Sequence, residues 1–354
     1  MVDMPRRMVP HHSLAVLEQM HAAACAVRTG PDSARVAAAD HATSVVLLRA
    51  IVFSALAWSC AAAIAQAAPS TAASVAPGVY VLPGHGGEVN LESGGRTANV
   101  AFVVGPRGVV VVDTGISYRE GGEIIAAIRR VTTRPIRLVV LTHPGQEAIF
   151  GAAAFEARGI PVLAHRRSAE LIASRCATCL NNLRAKLGED AMEGSRVPTP
   201  DRLIDRDATL DLIGRPLHLF APAWSSAPGA IAVYDEQTAT LITGSQVTRN
   251  RIPDLRDADL QGWRDALVQL EALRCRHLIP GYGAVGDCTS IAAMSRYLTA
   301  LERHVRELME EGVSLADLRN RCDLPEFAHW DQYATLHPQN ANTVYLRLER
   351  AQFE

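Results

Sequence analysis

From residue 78 onward, the apolar and polar positions alternate between strand-like and helix-like patterns. Two β-branched runs within 99–115 are separated by the segment GPRG, which is typical of a hairpin. Apolar residues then recur at helical spacing over 121–132, and the apolar run 136–143 is typical of a buried strand. The pattern next predicts a helix over 147–159, a strand over 160–165 and a long helix over 166–187.

The second half of the chain begins with short strands and ends in helices. Strands are predicted over 202–204, 208–213, 216–222, 230–236, 239–244 and 276–281, and helices over 259–273, 289–311, 314–320 and 340–352. Strands in both halves with helices around them predict two sheets packed face to face, a four-layer αββα sandwich. We place this domain at 78–286, followed by a helical C-terminal extension over 287–354.

The N-terminal region has a different character. An uninterrupted apolar run over 50–65 follows Arg49 and ends at a small-x-small site, Ala65-Gln66-Ala67. This is the pattern of a secretory signal peptide, and the run is short for a membrane span, which needs roughly 20 apolar residues. We therefore predict a signal peptide over 45–67, a periplasmic protein without membrane attachment after cleavage, and an extension over 1–44 that lies upstream of the true start. The alternative is a cytoplasmic tail followed by a membrane anchor.

Composition narrows the classes of partner. The formal net charge is -2 and aromatic residues make up 5% of the chain. A balanced charge gives no basic surface for nucleic acid, and few aromatics argue against a platform on which bases stack. We expect no nucleic-acid partner.

Five cysteines follow the predicted cleavage point, an odd number that leaves at least one thiol unpaired within the chain. Cys176 and Cys179 form a Cys-x-x-Cys motif in a helical stretch, and no second such motif exists to complete a four-thiolate zinc site. We predict a local disulfide or two packed thiols here, with a redox role as the alternative. The other three are Cys275, Cys288 and Cys322.

Four motifs indicate a protein family: VVDTG at 111–115, LTH at 141–143, TG at 243–244 and IPG at 279–281. Their order across 78–285 resembles the metallo-β-lactamase superfamily. In that family an H-x-H-x-D-H loop, a further histidine, an aspartate after TG and a histidine after PG hold one or two zinc ions. Zinc there lowers the pKa of a bound water, which attacks an ester, amide or thioester.

The resemblance implies a site that has lost most of those ligands. His143 matches the first histidine of the loop. The remaining ligand positions are occupied by Gly145, Glu147, Ala148, Ser226, Ser245 and Tyr282. Glycine and alanine offer no donor atom, and neutral hydroxyls are weak zinc ligands beside imidazole. We expect no cofactor beyond a weakly held divalent cation at the remnant His143.

A narrower resemblance is to the quinoprotein relay system zinc metallohydrolases. The segment RTANVAFVVG at 96–105, the helix with Cys176 and Cys179, and the tail over 333–349 carry it. It implies a periplasmic setting beside a dehydrogenase that uses pyrroloquinoline quinone.

The candidate site residues fall into two groups. Asp113, His143 and Glu147 are candidates for catalysis, although Asp113 could simply cap its turn and His143 could make a buried hydrogen bond. The residues expected to line a ligand pocket are Trp224, Ser226, Ser245, Tyr282 and His85. The first function hypothesis is a non-catalytic protein of the cell envelope that binds a small molecule or a protein partner. The second is a hydrolase that works with an altered or single metal, or with none.

Overall fold

The predicted strands fold into two β-sheets. The structure, a computed structural model, describes residues 71–352, so the predicted extension at 1–44 and signal peptide at 45–67 lie outside the described residues. The first sheet has the order β1 to β7, and its strands from β4 onward are parallel. Its strands are β1 (Ala73–Ala76), β2 (Val79–Leu82), β3 (Val100–Gly105), β4 (Gly108–Val112), β5 (Ile136–Val140), β6 (Val162–His165) and β7 (Arg202–Ile204).

The second sheet has five strands in the order β12-β11-β10-β9-β8. Neighbouring strands are antiparallel except for the parallel pair β11 and β12. Its strands are β8 (Ala208–Leu210), β9 (Leu217–Phe220), β10 (Ala232–Asp235), β11 (Thr240–Ile242) and β12 (His277–Ile279).

The helices lie in the connections and after the last strand. They are α1 (Tyr118–Val131), α2 (Gln146–Ile149), α3 (Ala152–Glu156), α4 (Arg166–Leu187), α5 (Glu189–Met192), α6 (Leu260–Glu271), α7 (Thr289–Glu310), α8 (Leu315–Arg321) and α9 (Tyr333–Ala351). None of the helices between residues 71 and 352 is long and apolar enough to cross a membrane.

The alternation of side chains along the strands builds the layers. In β3 and β4, Phe102 and Val111 point outward into an apolar cluster with α1, α3 and α4. Val103 and Val110 point the other way, into a cluster shared with the second sheet. The four-layer αββα prediction is confirmed.

The outer face of the second sheet is covered by α6 and by the C-terminal helices. Trp263 of α6 and Tyr297 and Leu301 of α7 lie in one apolar cluster with Leu241 of β11. The helices predicted as a C-terminal extension therefore supply most of the fourth layer of the sandwich, because the outer face of the second sheet needs an apolar cover.

Of the two alternatives predicted for Cys176 and Cys179, the structure shows packed thiols and not a disulfide. Cys176 and Cys179 are both free, and the disulfide of the described residues joins Cys275 to Cys288. Cys176 and Cys179 lie within the uninterrupted helix α4, where Cys176 is buried in the core and Cys179 is half-buried. Burial and then the neighbouring Cys179 raise the pKa of the Cys176 thiol to about 12, so the pair consists of packed thiols.

Candidate ligand-binding cleft

A hydrogen-bond chain connects the end of β4 to the loop after β5. The carboxylate of Asp113 accepts from the Thr142 backbone N–H at 2.8 Å and from the Thr142 hydroxyl at 2.7 Å. The same hydroxyl oxygen lies 2.8 Å from Nδ1 of His143. With Asp113 ionised, the single hydroxyl hydrogen of Thr142 is donated to its carboxylate, so Nδ1 carries the proton and donates to Thr142, and Nε2 keeps a lone pair. The chain fixes the orientation of the imidazole ring.

The Asp113 position depends on an unusual backbone conformation. Its φ of 65° lies in the left-handed region, which non-glycine residues adopt uncommonly. Asp113 is buried, and burial raises the pKa of its carboxyl to about 7 against the opposing effect of the bonds from Thr142. Burial also lowers the pKa of His143 to about 4, so the imidazole is neutral at pH 7.

The Nε2 atom of His143 is enclosed by the loop that follows it. It is buried and has no hydrogen-bond partner among the described residues. A methyl group added to Gly145 would lie only 2.4 Å from Nε2, so the backbone of the loop packs closely against the imidazole. The loop needs glycine at 145 because any larger side chain would push His143 aside.

Two serines and a tyrosine complete the surroundings of His143. The hydroxyls of Ser226 and Ser245 lie 2.8 Å apart and hydrogen-bond to each other. The ring of Tyr282 meets His143 edge to face with centroids 6.4 Å apart, and the Arg251 guanidinium lies 4.8 Å from the Tyr282 ring centroid. Burial raises the pKa of the Tyr282 hydroxyl well above its usual value, and nearby Glu147 adds to the rise. The hydroxyl is therefore protonated.

These groups form one side of a cleft of about 500 Å³, a size suited to a small ligand. The predicted residues that line it are His143, Glu147, Ser226, Ser245 and Tyr282.

Three predicted site residues lie elsewhere. Asp113 is buried outside the cleft lining and connects to it through Thr142 and His143. The assignments of Trp224 and His85 to the cleft lining are corrected. Trp224 is exposed and absent from the lining, and its indole N–H donates to the backbone carbonyl of Asp257 at 2.6 Å. His85 lies exposed on its Gly-rich loop, outside the lining.

The sequence did not identify most of the residues that line the other walls of the cleft. Helix α4 contributes Arg175 and Cys179, and the loop after the 3₁₀ turn Gly244–Gln246 contributes Arg251. Gln332, the residue before α9, and Gln339 in its second turn also line the cleft. Of these residues, Cys179 carries a sequence signal, the Cys-x-x-Cys motif, which predicts a disulfide or packed thiols and not a cleft wall.

The donor atoms present do not fit a zinc ion. Among residues 71–352, no three His, Cys, Asp or Glu side chains are grouped so that they could hold a metal ion. Near His143 there is a single imidazole, both oxygens of Asp113 are engaged by Thr142, and the remaining neighbours are mainly hydroxyls. Zinc sites use three or four imidazole, thiolate or carboxylate ligands, so this set is insufficient.

A known protein family matches this chain. The model of the metallo-beta-lactamase superfamily matches residues 93–282, more than half of the chain. The chain belongs to the metallo-beta-lactamase superfamily. The match covers the loop of His143 and the turns of Ser245 and Tyr282. No curated protein matches the chain.

Solved structures of the superfamily share the fold at low identity. A metallo-beta-lactamase from Pontibacter korlensis is 21% identical, with 64% of this chain and 98% of that chain covered and a TM-score of 0.51. One from Hirschia baltica is 18% identical, with 66% and 98% covered and a TM-score of 0.53. The stereoselective inverting sec-alkylsulfatase Pisa1 from Pseudomonas sp. is 19% identical, with 78% and 50% covered and a TM-score of 0.60. The chain thus spans half the length of the alkylsulfatase. These likenesses show the fold alone.

Proposed function

We propose that this chain is a ligand-binding member of the metallo-beta-lactamase superfamily that has lost zinc-dependent hydrolysis. The observation that carries the proposal is the surroundings of His143. Its Nε2 atom faces the backbone of Gly145, where a metal-binding loop would supply a second donor. By the resemblance, Ser226, Ser245 and Tyr282 occupy three further ligand positions of the family, and their hydroxyls are poor zinc donors.

The same cleft supports binding as the retained role. Its volume of about 500 Å³ lies in the range of small-molecule sites. Its walls combine charged side chains, amides and hydroxyls with about as much apolar surface, so it offers both apolar contact and polar groups that orient a ligand. The metal ligands are lost but a cleft of this size remains. This combination favours a ligand-binding protein over a protein that has no binding site.

The proposal includes an exported protein that works beside a periplasmic quinoprotein dehydrogenase. The disulfide between Cys275 and Cys288 supports export, because such bonds persist in oxidising compartments. The resemblance of 96–105 and 333–349 to the quinoprotein relay group supports the choice of partner system.

Metal content tests the proposal directly. The full chain, purified without chelators, is expected to contain far less than one zinc or iron per molecule by plasma mass spectrometry. His143→Ala is expected to leave that content unchanged, because a single imidazole does not make a site. Near-stoichiometric metal that disappears in His143→Ala would overturn the proposal.

A hydrolase is the second candidate, and the chain Asp113–Thr142–His143 favours it. An oriented neutral imidazole resembles the base of hydrolases that act through a histidine and a carboxylate. Under this candidate the protein would hydrolyse p-nitrophenyl acetate, and His143→Gln would abolish the turnover. We expect the unaltered protein to hydrolyse p-nitrophenyl acetate no faster than His143→Gln does. Nitrocefin and a p-nitrophenyl sulfate ester serve as further substrates in the same comparison.

A further inference from the structure

The cleft contains four cationic side chains, which at first suggests an anionic ligand. Three of them are neutralised by carboxylates. Arg175 pairs with Asp257 at 2.5 Å and Arg256 pairs with Asp254 at 2.6 Å. Arg251 pairs with Asp331 at 2.6 Å. The fourth, Lys186, is exposed at the rim.

Two carboxylates of the cleft lack an ion-pair partner among residues 71–352. Glu88 is exposed to solvent, but Glu147 is half-buried in the first turn of α2, four residues after His143. The Glu147 carboxylate accepts from its own backbone N–H and from the Gln146 amide at 3.5 Å, a distance at the limit of a hydrogen bond. In its ionised form, Glu147 is therefore the carboxylate inside the cleft that has no ion-pair partner among these residues.

Glu147 lies in surroundings that disfavour an isolated charge. Burial raises the pKa of its carboxyl, and the nearby cation, Arg251, is already engaged by Asp331 and lies over the Tyr282 ring. A buried carboxylate gains most from a counter-ion that reaches it without leaving another partner behind. Among residues 71–352, the nearby cation Arg251 is shared with Asp331 and no other cation inside the cleft is free to pair with Glu147, so a ligand can supply the counter-ion of the ionised carboxylate.

We propose that the cleft binds a small organic amine whose ammonium group pairs with the carboxylate of Glu147. This rests on the proposed role as a ligand-binding protein and adds the chemical class of the ligand. The ammonium donates N–H hydrogen bonds to the carboxylate, and the hydroxyl pair of Ser226 and Ser245 remains available to polar groups on the rest of the ligand.

The test compares three probes of one shape: benzylamine, benzyl alcohol and benzoate. Binding to the full chain is measured by isothermal titration calorimetry at pH 7.5. Benzylamine is expected to bind at least tenfold more tightly than either of the others. Glu147→Gln is expected to weaken benzylamine at least tenfold and to leave benzyl alcohol unchanged, since the amide keeps the shape and removes the charge.

Lys186→Ala is the matched control, because it removes the unpaired cation of the rim. It is expected to leave benzylamine binding unchanged or to tighten it.

A second readout is the alkylation of Cys179 by iodoacetamide, since this free thiol lines the cleft while Cys176 and Cys322 are buried. Bound benzylamine is expected to slow this alkylation in the unaltered protein and not in Glu147→Gln.

The outcomes separate the two proposals. A preference for benzoate, equal binding of all three probes, no binding of any of them, or full benzylamine affinity in Glu147→Gln would each overturn the amine proposal alone. Stoichiometric metal lost with His143 would overturn the proposed function instead.

Discussion

At the scale of single residues, the hydroxyl of Thr142 is the most consequential group near the cleft. It donates to Asp113 and accepts from His143, and it therefore decides which nitrogen of the imidazole carries the proton. The sequence named Asp113 and His143 as candidates but did not name the threonine between them. Its role arises because β4 and β5 are adjacent parallel strands whose ends lie side by side.

Thr142→Val is expected to destabilise the protein by about 1–3 kcal/mol, because it leaves a buried carboxylate oxygen of Asp113 without its donor. The measurement is urea unfolding at pH 7.5. Thr97→Val is the control, since the Thr97 hydroxyl is equally buried but has no hydrogen-bond partner among the described residues. That variant is expected to be neutral or slightly stabilising. Equal losses in the two variants would contradict the role given to Thr142.

At the scale of elements, the predicted helix over 147–159 is two short helices, α2 and α3. The break falls at Gly151, whose α-carbon packs against the carbonyl oxygen of Thr114. Its N–H donates to the Gly115 carbonyl at 3.1 Å. The DTG turn thus interrupts the helix from outside, which periodicity within 147–159 cannot reveal.

Two other elements also differ from the sequence pattern. Strand β1 was not predicted, because its alanine-rich sequence does not differ from that of the apolar leader before it. Helix α9 begins at Tyr333 instead of 340, and it continues through Pro338. Proline removes a helix hydrogen bond, but packing of α9 on α7 and α8 outweighs that cost.

Gly151→Ala is expected to lower the free energy of unfolding by about 1–3 kcal/mol, because a methyl group would lie 1.8 Å from the Thr114 oxygen. Gly122→Ala provides the comparison. Gly122 lies within α1 and its methyl group would meet no atom within 4 Å, so alanine is expected to stabilise by about 0.5–1 kcal/mol. Chemical denaturation of both variants measures the difference. A tolerated alanine at 151 would contradict the close packing against the DTG turn.

At the scale of the whole molecule, the fourth layer depends on a buried histidine. His337 of α9 stacks on Tyr333 with ring centroids 4.5 Å apart, and its Nδ1 lies 3.2 Å from the Tyr297 hydroxyl of α7. Burial lowers the pKa of His337 to about 4, against raising effects from Cys322 and Asp323. The folded protein therefore keeps this imidazole neutral at a pH where the unfolded chain binds a proton.

The sign of the pH effect follows from this difference. Because the unfolded chain protonates His337 near pH 6.5 and the folded protein only near pH 4, stability is lost as pH falls between these values. His337→Phe removes the effect and keeps the aromatic stack. Relative to that variant, the unaltered protein is expected to lose roughly 2–3 kcal/mol between pH 7.5 and pH 4.5. Urea unfolding at both pH values measures it, and parallel pH curves for the two proteins would rule it out.

The sequence by itself determined the layers of this protein and its superfamily. Alternation in β3 and β4 and helical spacing in α1 and α4 are local patterns, since each residue's face follows from the period of its own element. The motifs around Asp113, His143 and Gly244 are short and contiguous, so they can be recognised from the sequence alone.

Only the tertiary structure decided the cleft. Arg175, Arg251 and Gln339 come from three separate elements, and their approach depends on how the layers pack. The pairing of Cys275 with Cys288 and the exposure of Trp224 depend in the same way on loop paths. The net charge of the cleft follows from which carboxylates reach which guanidinium groups. Electrostatic compensation depends on distances of a few ångströms between residues far apart in sequence, and the order of residues does not contain those distances.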